Sequence, residues 1–415
     1  MKYLKKISVA FYLVWITATI YSCKENKGYN DPVSKDPAKP GVITDVKVDN
    51  YNGGTYITYK LPKSQNLLYV LAQYEIRKGV TRETKSSYFS DTVNVEGFAR
   101  AQEYKVTLYS VTRANIYSDP VVVTVNPKTP VYQLVSRQLS LNADFGGVNV
   151  NTLNPLRKDI GVIITAFDKS TNRMEVQDQH YVNADTINYS LRGYDAVLRK
   201  FGVYVTDGFG NISDTLSKNL TPLPEVFLDK GKFSAFTLPS DTELGFTDYG
   251  FSVQKLWDGK IDGFDGWHTM PGHTAPFVTT FSIGGLYKLS RFVIWERPDD
   301  GSNIYSFSHF NPKVFTLWGS SAPNPKDQVL PLTSAVGTVL GDWVNLGNFR
   351  YPNPPSGLPP NNHNAADNAF VRAGVGFNFA LTNPDVRYIR VAVGQTWSNG
   401  DAAHIMELSF YGQPK

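Results

Sequence analysis

An all-β fold, two sandwich modules followed by a larger third β domain, is the fold class this sequence predicts, on three observations. The chain holds 33 Gly, 25 Pro, 24 Tyr and 24 Phe with only 19% charged residues, a composition that favours pleated sheets joined by tight turns. Short apolar alternations of strand length recur between turn residues, and no sustained helical period follows the N-terminal segment. A single cysteine removes any disulfide framework, so stability must come from hydrophobic cores.

The first element, residues 1–22, reads as a lipoprotein signal peptide. Lys2, Lys5 and Lys6 form a basic start, and the apolar stretch 7–20 is too short for a spanning helix. It ends at Ile20-Tyr21-Ser22-Cys23, and Cys23 is the expected lipidation site, which would anchor the mature chain to a membrane through its lipid. The alternative is a non-lipidated signal with an incidental cysteine. Residues 23–40, polar and proline-containing without apolar periodicity, read as a tether.

Residues 41–128 read as the first sandwich. Alternation is clear in Tyr56-Ile57-Thr58-Tyr59-Lys60-Leu61 and in Tyr104-Lys105-Val106-Thr107-Leu108-Tyr109, and the run from Tyr104 followed by Ser118-Asp119-Pro120 resembles the last hairpin of a fibronectin type III domain. Residues 129–224 read as a second immunoglobulin-like sandwich. Its Val205-Thr206, Asn211-Ile212 and Ser213-Asp214 echo Val111-Thr112, Asn115-Ile116 and Ser118-Asp119, a pattern that an internal repeat or a chance likeness of two hairpins would both produce. Residues 225–415 form the third domain, with strands expected near 277–283, 289–295, 314–318, 388–393 and 405–411. The Pro/Asn/Gly-rich stretch 350–368 is expected to be a surface loop.

Leu256-Trp257-Asp258-Gly259, Trp267-His268-Thr269, Leu289-Ser290-Arg291-Phe292-Val293-Ile294, Pro312-Lys313-Val314-Phe315-Thr316-Leu317-Trp318-Gly319-Ser320, Val386-Arg387-Tyr388-Ile389-Arg390-Val391 and Met406-Glu407-Leu408-Ser409-Phe410-Tyr411-Gly412 follow in order. On these motifs residues 245–415 resemble the discoidin family (coagulation factor 5/8 C-terminal, galactose-binding-like), which implies a β jelly roll. With the signal and the sandwiches, the whole chain resembles the surface lipoproteins of polysaccharide-utilisation systems in Bacteroidota. That resemblance implies an outer-membrane, cell-surface location, a polysaccharide or oligosaccharide ligand, and outer-membrane glycan-uptake proteins as partners. The family often holds a structural Ca²⁺ on an Asp-Gly turn and a Glu of the last strand. Asp258 and Glu407 match, with carbonyls of Lys255, Lys260 and Met406 as further oxygen ligands; a turn in which Asp258 only caps backbone amides stays open beside it.

Six of the seven Trp and five of the six His lie beyond residue 224, so recognition chemistry is expected in the third domain. A sugar needs an aromatic face and polar groups for its hydroxyls. Arg297, directly after Trp295-Glu296, matches the position from which a basic residue contacts the sugar in glycan-binding relatives. Tyr305 and His309 follow in an aromatic-rich loop, His268 lies after the Asp-Gly turn, and Trp397, among Thr, Ser, Asn and Gly, is expected to display its ring. Trp295, ending an apolar strand, is as well suited to the core as to the surface. Asp299-Asp300-Gly301 reads as a solvated turn. HExxH, G-x-S-x-G, P-loop and G-x-G-x-x-G motifs do not occur, and the scattered charges behind a net +4 do not suit nucleic acid. The expectation is a non-catalytic glycan-binding lipoprotein. Its rivals are a protein-binding or assembly lipoprotein at the same surface and an accessory to glycoside hydrolysis.

Overall fold

The computed structural model describes residues 32–301 and 304–415; Cys23 and the expected signal lie outside them. Alternating burial along the strands builds an all-β protein, and no helix of the described residues is long and apolar enough to cross a membrane. Two compact units form. One comprises residues 32–141, 150–189 and 201–218, the other 142–149, 190–200 and 219–415.

In the first unit, β1 (Thr44–Tyr51), β2 (Gly54–Lys60), β3 (Leu67–Arg77), β4 (Val80–Ser87), β5 (Thr92–Glu96), β6 (Tyr104–Thr112) and β7 (Val121–Val125) form sheets ordered β1-β2-β5 and β4-β3-β6-β7. Their inward residues, among them Ile57, Val70, Val95, Phe98 and Leu108, close one core. A short helix, α1 (Val131–Ser136), leads to β8 (Ser140–Asp144), β9 (Gly147–Leu153), β10 (Ile160–Asp168), β11 (Arg173–Val182), β12 (Thr186–Arg192), β13 (Arg199–Asp207) and β14 (Leu216–Leu220), in sheets ordered β11-β10-β13-β14 and β12-β9-β8.

The echo between the two closing hairpins has a physical basis. Ser118 Oγ accepts from the Ser110 amide at 3.0 Å and donates to Asp119 O, while Ser213 Oγ accepts from the Val205 amide at 2.9 Å and donates to Asp214 O. The same serine device pins both hairpins where the strand leaves its ladder.

The third domain is a jelly roll of β15 (Val226–Phe227), β16 (Ser234–Ala235), β17 (Trp267–His268), β18 (Phe277–Trp295), β19 (Pro312–Ser320), β20 (Val339–Leu340), β21 (Trp343–Arg350), β22 (Val375–Asn378), β23 (Val386–Thr396), β24 (His404–Ile405) and β25 (Glu407–Pro414). The sequence suggests two strands at 277–283 and 289–295. They are one bent strand, β18, whose first half pairs with β23 and whose second half pairs with β25 and β22. The bend falls at Gly284, where φ is +74° and a Cβ would strike the Lys232 backbone, so glycine is required.

The stretch 350–368 is not a plain surface loop. Tyr351 and His363 are buried, and helix α2 (Ala365–Ala373) begins inside it. Asn364 caps that helix by accepting from the Ala366 and Asp367 amides while Asp367 accepts from the Asn364 amide, a capping box legible as Asn-Ala-Ala-Asp.

Candidate functional site

The segments 243–275, 296–301, 304–311 and 396–404 meet at one edge of the jelly roll, where the Thr269 amide donates to Ala403 O, the Trp397 amide to Asn311 O and the His404 amide to Phe310 O. Asn311 ties the ends of the middle loop: its Oδ1 accepts from the Arg297 amide at 3.0 Å, and its Nδ2 donates to Arg297 O and Tyr305 O, each at 2.9 Å. Asp299 does the same further along, accepting from the Tyr305 and Ser306 amides and from His363 Nε2 at 2.6 Å. Asp299 is therefore a buried anchor, which corrects the solvated-turn reading. His363 also donates from Nδ1 to Pro360 O. Burial opposes its charge, but the Asp299 carboxylate and that carbonyl outweigh burial and raise its pKa.

Four of the six residues expected to meet a sugar come together. The Arg297 guanidinium lies 3.6 Å from the Tyr305 ring centroid, Tyr305 stacks with His309 at 5.4 Å, and His268 stands edge-on to His309 at 6.3 Å. Arg297, Tyr305 and His309 are half-buried, while His268 is buried, with Nδ1 2.6 Å from Thr269 O. His268 and His404 lose basicity chiefly to burial, and His309 falls for the same reason to about 4, aided by the His268 and Arg297 charges.

The two tryptophans differ: Trp295 is half-buried and Trp397 is buried. Trp295 packs its indole against Gly374, the residue that ends α2 with φ +76°, where a Cβ would overlap the ring. Trp397 is only 8% exposed, and its Nε1 donates to Glu296 Oε1 at 2.9 Å while its ring meets the edge of Phe307 at 5.4 Å. This corrects the expectation of a displayed ring: polar neighbours in sequence do not report that a buried carboxyl waits for the indole N–H. Glu296 is fully buried, and burial raises its pKa well above the usual carboxylate range.

Sequence reasoning missed the rings that do face solvent. Phe246, Tyr249 and Phe264 are 44%, 69% and 51% exposed, and Phe246 and Phe264 are joined to the cluster through Phe251 and His268. The available signal was their density in a loop with Gly and Asp, Phe246 to Tyr249 and Gly263-Phe264-Asp265. Behind Phe310, which packs on Gly400, a shallow cavity of about 340 Å³ is lined by His273, Thr274, Gln395, Asn399 and Asp401. Gln395 Nε2 donates to Asn399 Oδ1, and Asp401 Oδ2 accepts from the Gly272 amide.

The two carboxylates expected to hold calcium, Asp258 and Glu407, are engaged by other groups. Glu407 Oε1 accepts from Lys230 Nζ and Oε2 from the Gly259 amide at 2.8 Å; Asp258 accepts from Lys255 Nζ at 3.1 Å and from the Lys260 amide at 2.9 Å. Lys255 also pairs with Asp265 at 2.5 Å. Burial, partly offset by Lys230, raises Glu407 to about 7. Two ammonium groups thus stand where a hard cation would need oxygens to itself, and these residues do not fit a calcium shell without breaking their ion pairs. Among the described residues no three His, Cys, Asp or Glu side chains converge as a metal centre. Thermal melting of the full chain should be the same in millimolar calcium and in chelator; a calcium-dependent rise of several degrees would show that the cation displaces the lysines.

Three families, each described as a domain of unknown function, match successive segments: DUF4959 over residues 40–127, DUF5126 over 128–231 and DUF5000 over 257–412. No curated protein matches. Among solved structures the chain is similar to a SusE-like protein at 27% identity, over 69% of this chain and all of that one, with a TM-score of 0.42. It is also similar to a CBM32 module from a Clostridium perfringens family 31 glycoside hydrolase at 16% identity, over 45% and 95% of the two chains, with a TM-score of 0.30. The C-terminal domain of a Bacteroides fragilis chitobiase aligns at 18% identity over 46% and 99%, also with a TM-score of 0.30. The chain therefore carries three segments, 40–127, 128–231 and 257–412, that match DUF4959, DUF5126 and DUF5000, and over about two thirds of its length it is similar to a SusE-like protein.

Proposed function

We propose that the protein binds glycan without turning it over, through the loop edge of its jelly roll, and is held at the outer membrane surface by lipid on Cys23. The carrying observation is the continuous series of rings from solvent-facing Phe246 and Phe264, the latter by way of Phe251, through His268 and His309 to the Arg297–Tyr305 pair, with Tyr249 exposed beside Phe246. Exposed rings offer a face for the apolar side of a pyranose, Arg297 offers N–H donors, and the adjoining cavity offers the amides and carboxylate of Gln395, Asn399 and Asp401. The buried acids do not suit hydrolysis: Glu296 is sealed behind Trp397, and Asp299 is spent on His363 and two amides.

A glycan panel with the full chain tests this. The double variant Tyr249→Ala, Phe264→Ala and the single variant Arg297→Ala should each weaken binding by on the order of 1–3 kcal/mol while the melting temperature holds. Unchanged affinity in both moves the site elsewhere, and released reducing ends would make the protein an enzyme. Cys23→Ala should leave the fold intact and release the protein from membranes, because only the lipid anchors it in this reading. Retention of that variant after a high-salt wash would refute lipid anchoring.

A further inference from the structure

The first unit carries a second cleft, distinct from the jelly-roll edge. It lies between the closing hairpin of the second sandwich module, the end of β3, the segment 99–101 and helix α1, has a volume of about 710 Å³, and is lined by Arg77, Arg100 and Arg137 with Asp214 as its one acid. Its base is rigid. Asn211, 2% exposed, donates to Gly97 O at 3.0 Å, and Arg77 donates to Phe209 O at 3.0 Å and to Asn211 Oδ1 at 2.7 Å. Phe209 packs on Gly97, whose φ of +97° and lack of a Cβ allow the ring to approach. These bonds hold the second module's closing hairpin against the end of β3 and Gly97 of the first module and fix Arg77 on the cleft wall.

None of the three guanidinium groups is in an ion pair among the described residues, and Arg100 and Arg137 project into solvent. Three unpaired cations on one concave wall create a positive field that one carboxylate does not cancel. Between them stand neutral polar groups. Thr129 and Ser136 line the cleft, and Gln133, whose Nε2 is spent on Ala99 O at 2.9 Å, keeps its amide oxygen. Arginine forks match carboxylate or sulfate oxygens, while hydroxyls, an amide oxygen and the Asp214 carboxylate match sugar hydroxyls; Asp214 also disfavours a dense polyanion.

We propose that this cleft binds an acidic oligosaccharide, one carrying carboxylate or sulfate groups on a polyhydroxyl backbone. Arg100 and Arg137 clamp the acid groups, and Arg77, fixed by Asn211, holds the ligand near the cleft floor. The inference goes beyond the jelly-roll site and does not depend on it.

The full chain is titrated with tetragalacturonate, a sulfated heparin tetrasaccharide, neutral maltotetraose and polyglutamate. At least one acidic sugar should bind more tightly than the neutral one and than polyglutamate, and should weaken as salt rises. Arg100→Ser with Arg137→Ser, both exposed, should lower that affinity about tenfold or more with an unchanged melting curve. The jelly-roll double variant Tyr249→Ala, Phe264→Ala should retain it, which separates this cleft from the other site. Preference for tetragalacturonate or for the sulfated sugar identifies the acid group. Equal binding of maltotetraose or of polyglutamate, no binding of either acidic sugar, or an arginine variant with unchanged affinity would overturn the proposal.

Discussion

Arg390→Met should lower the stability of the jelly roll by about 3–5 kcal/mol, the cost of leaving a buried charge without its partner. Arg390 sits on β23 with its side chain 1% exposed and is the cation shared by Asp241 and Asp327 in a small polar island. It donates to Asp241 Oδ1 at 3.2 Å, Asp327 Oδ1 at 3.0 Å and Gln328 O at 2.9 Å, and it also bonds Ser240 Oγ. Burial raises the pKa of Asp241 even though the Leu238 amide, Thr280 and Arg390 all favour its charge, so removing the arginine removes one of few compensations. Methionine fills the space of the stem and leaves Asp241 facing it. The melting temperature should fall by on the order of 10 °C in a domain of this size. Arg390→Lys should fall part of the way, because an ammonium keeps the charge but cannot fork to two carboxylates. A methionine variant that melts with the native protein would show that the island contributes nothing.

Trp397→Ala should cost a similar amount, about 3–5 kcal/mol, through loss of a large buried ring. The effect has two parts. The cavity opens beside Phe307, and Glu296 loses the indole N–H that satisfies Oε1 in a fully buried site. Trp397→Phe restores most of the ring but no donor, so it should recover the cavity part alone. Thermal melting of the two variants separates the parts, with glycan binding measured below the transition. If Trp397→Ala kept the native melting temperature and lost glycan binding, the ring would be a ligand platform after all.

The candidate site was legible in part. Arg297, Tyr305 and His309 are close in sequence, and Asn311 and Asp299 fold the loop back so that they stay close in space. His268 joins them from β17 through ring contacts that no local pattern announces. His363 and Asn368 were missed because their partners, Asp299 and Ser306, lie more than 60 residues away in the chain. The capping box at Asn364 and Asp367 was local and could have been read.

From the sequence alone came the all-β class, the order of two sandwiches and a jelly roll, and the echo between the closing hairpins of the two sandwiches, whose serine hydrogen bonds only the structure supplied. Each rests on period-two alternation, turn residues and short-range motifs, which act over a few bonds of chain and survive without knowledge of distant neighbours. Tertiary structure alone decided which aromatic rings are displayed and which are buried, because that depends on where a partner is waiting: Glu296 draws in Trp397, Gly374 receives Trp295, and Phe246, Tyr249 and Phe264 find no cover. It also brought Lys230 and Lys255 to Glu407 and Asp258 and three arginines into one cleft. Charge pairing across long chain separations follows from sheet topology, and a linear sequence does not record it.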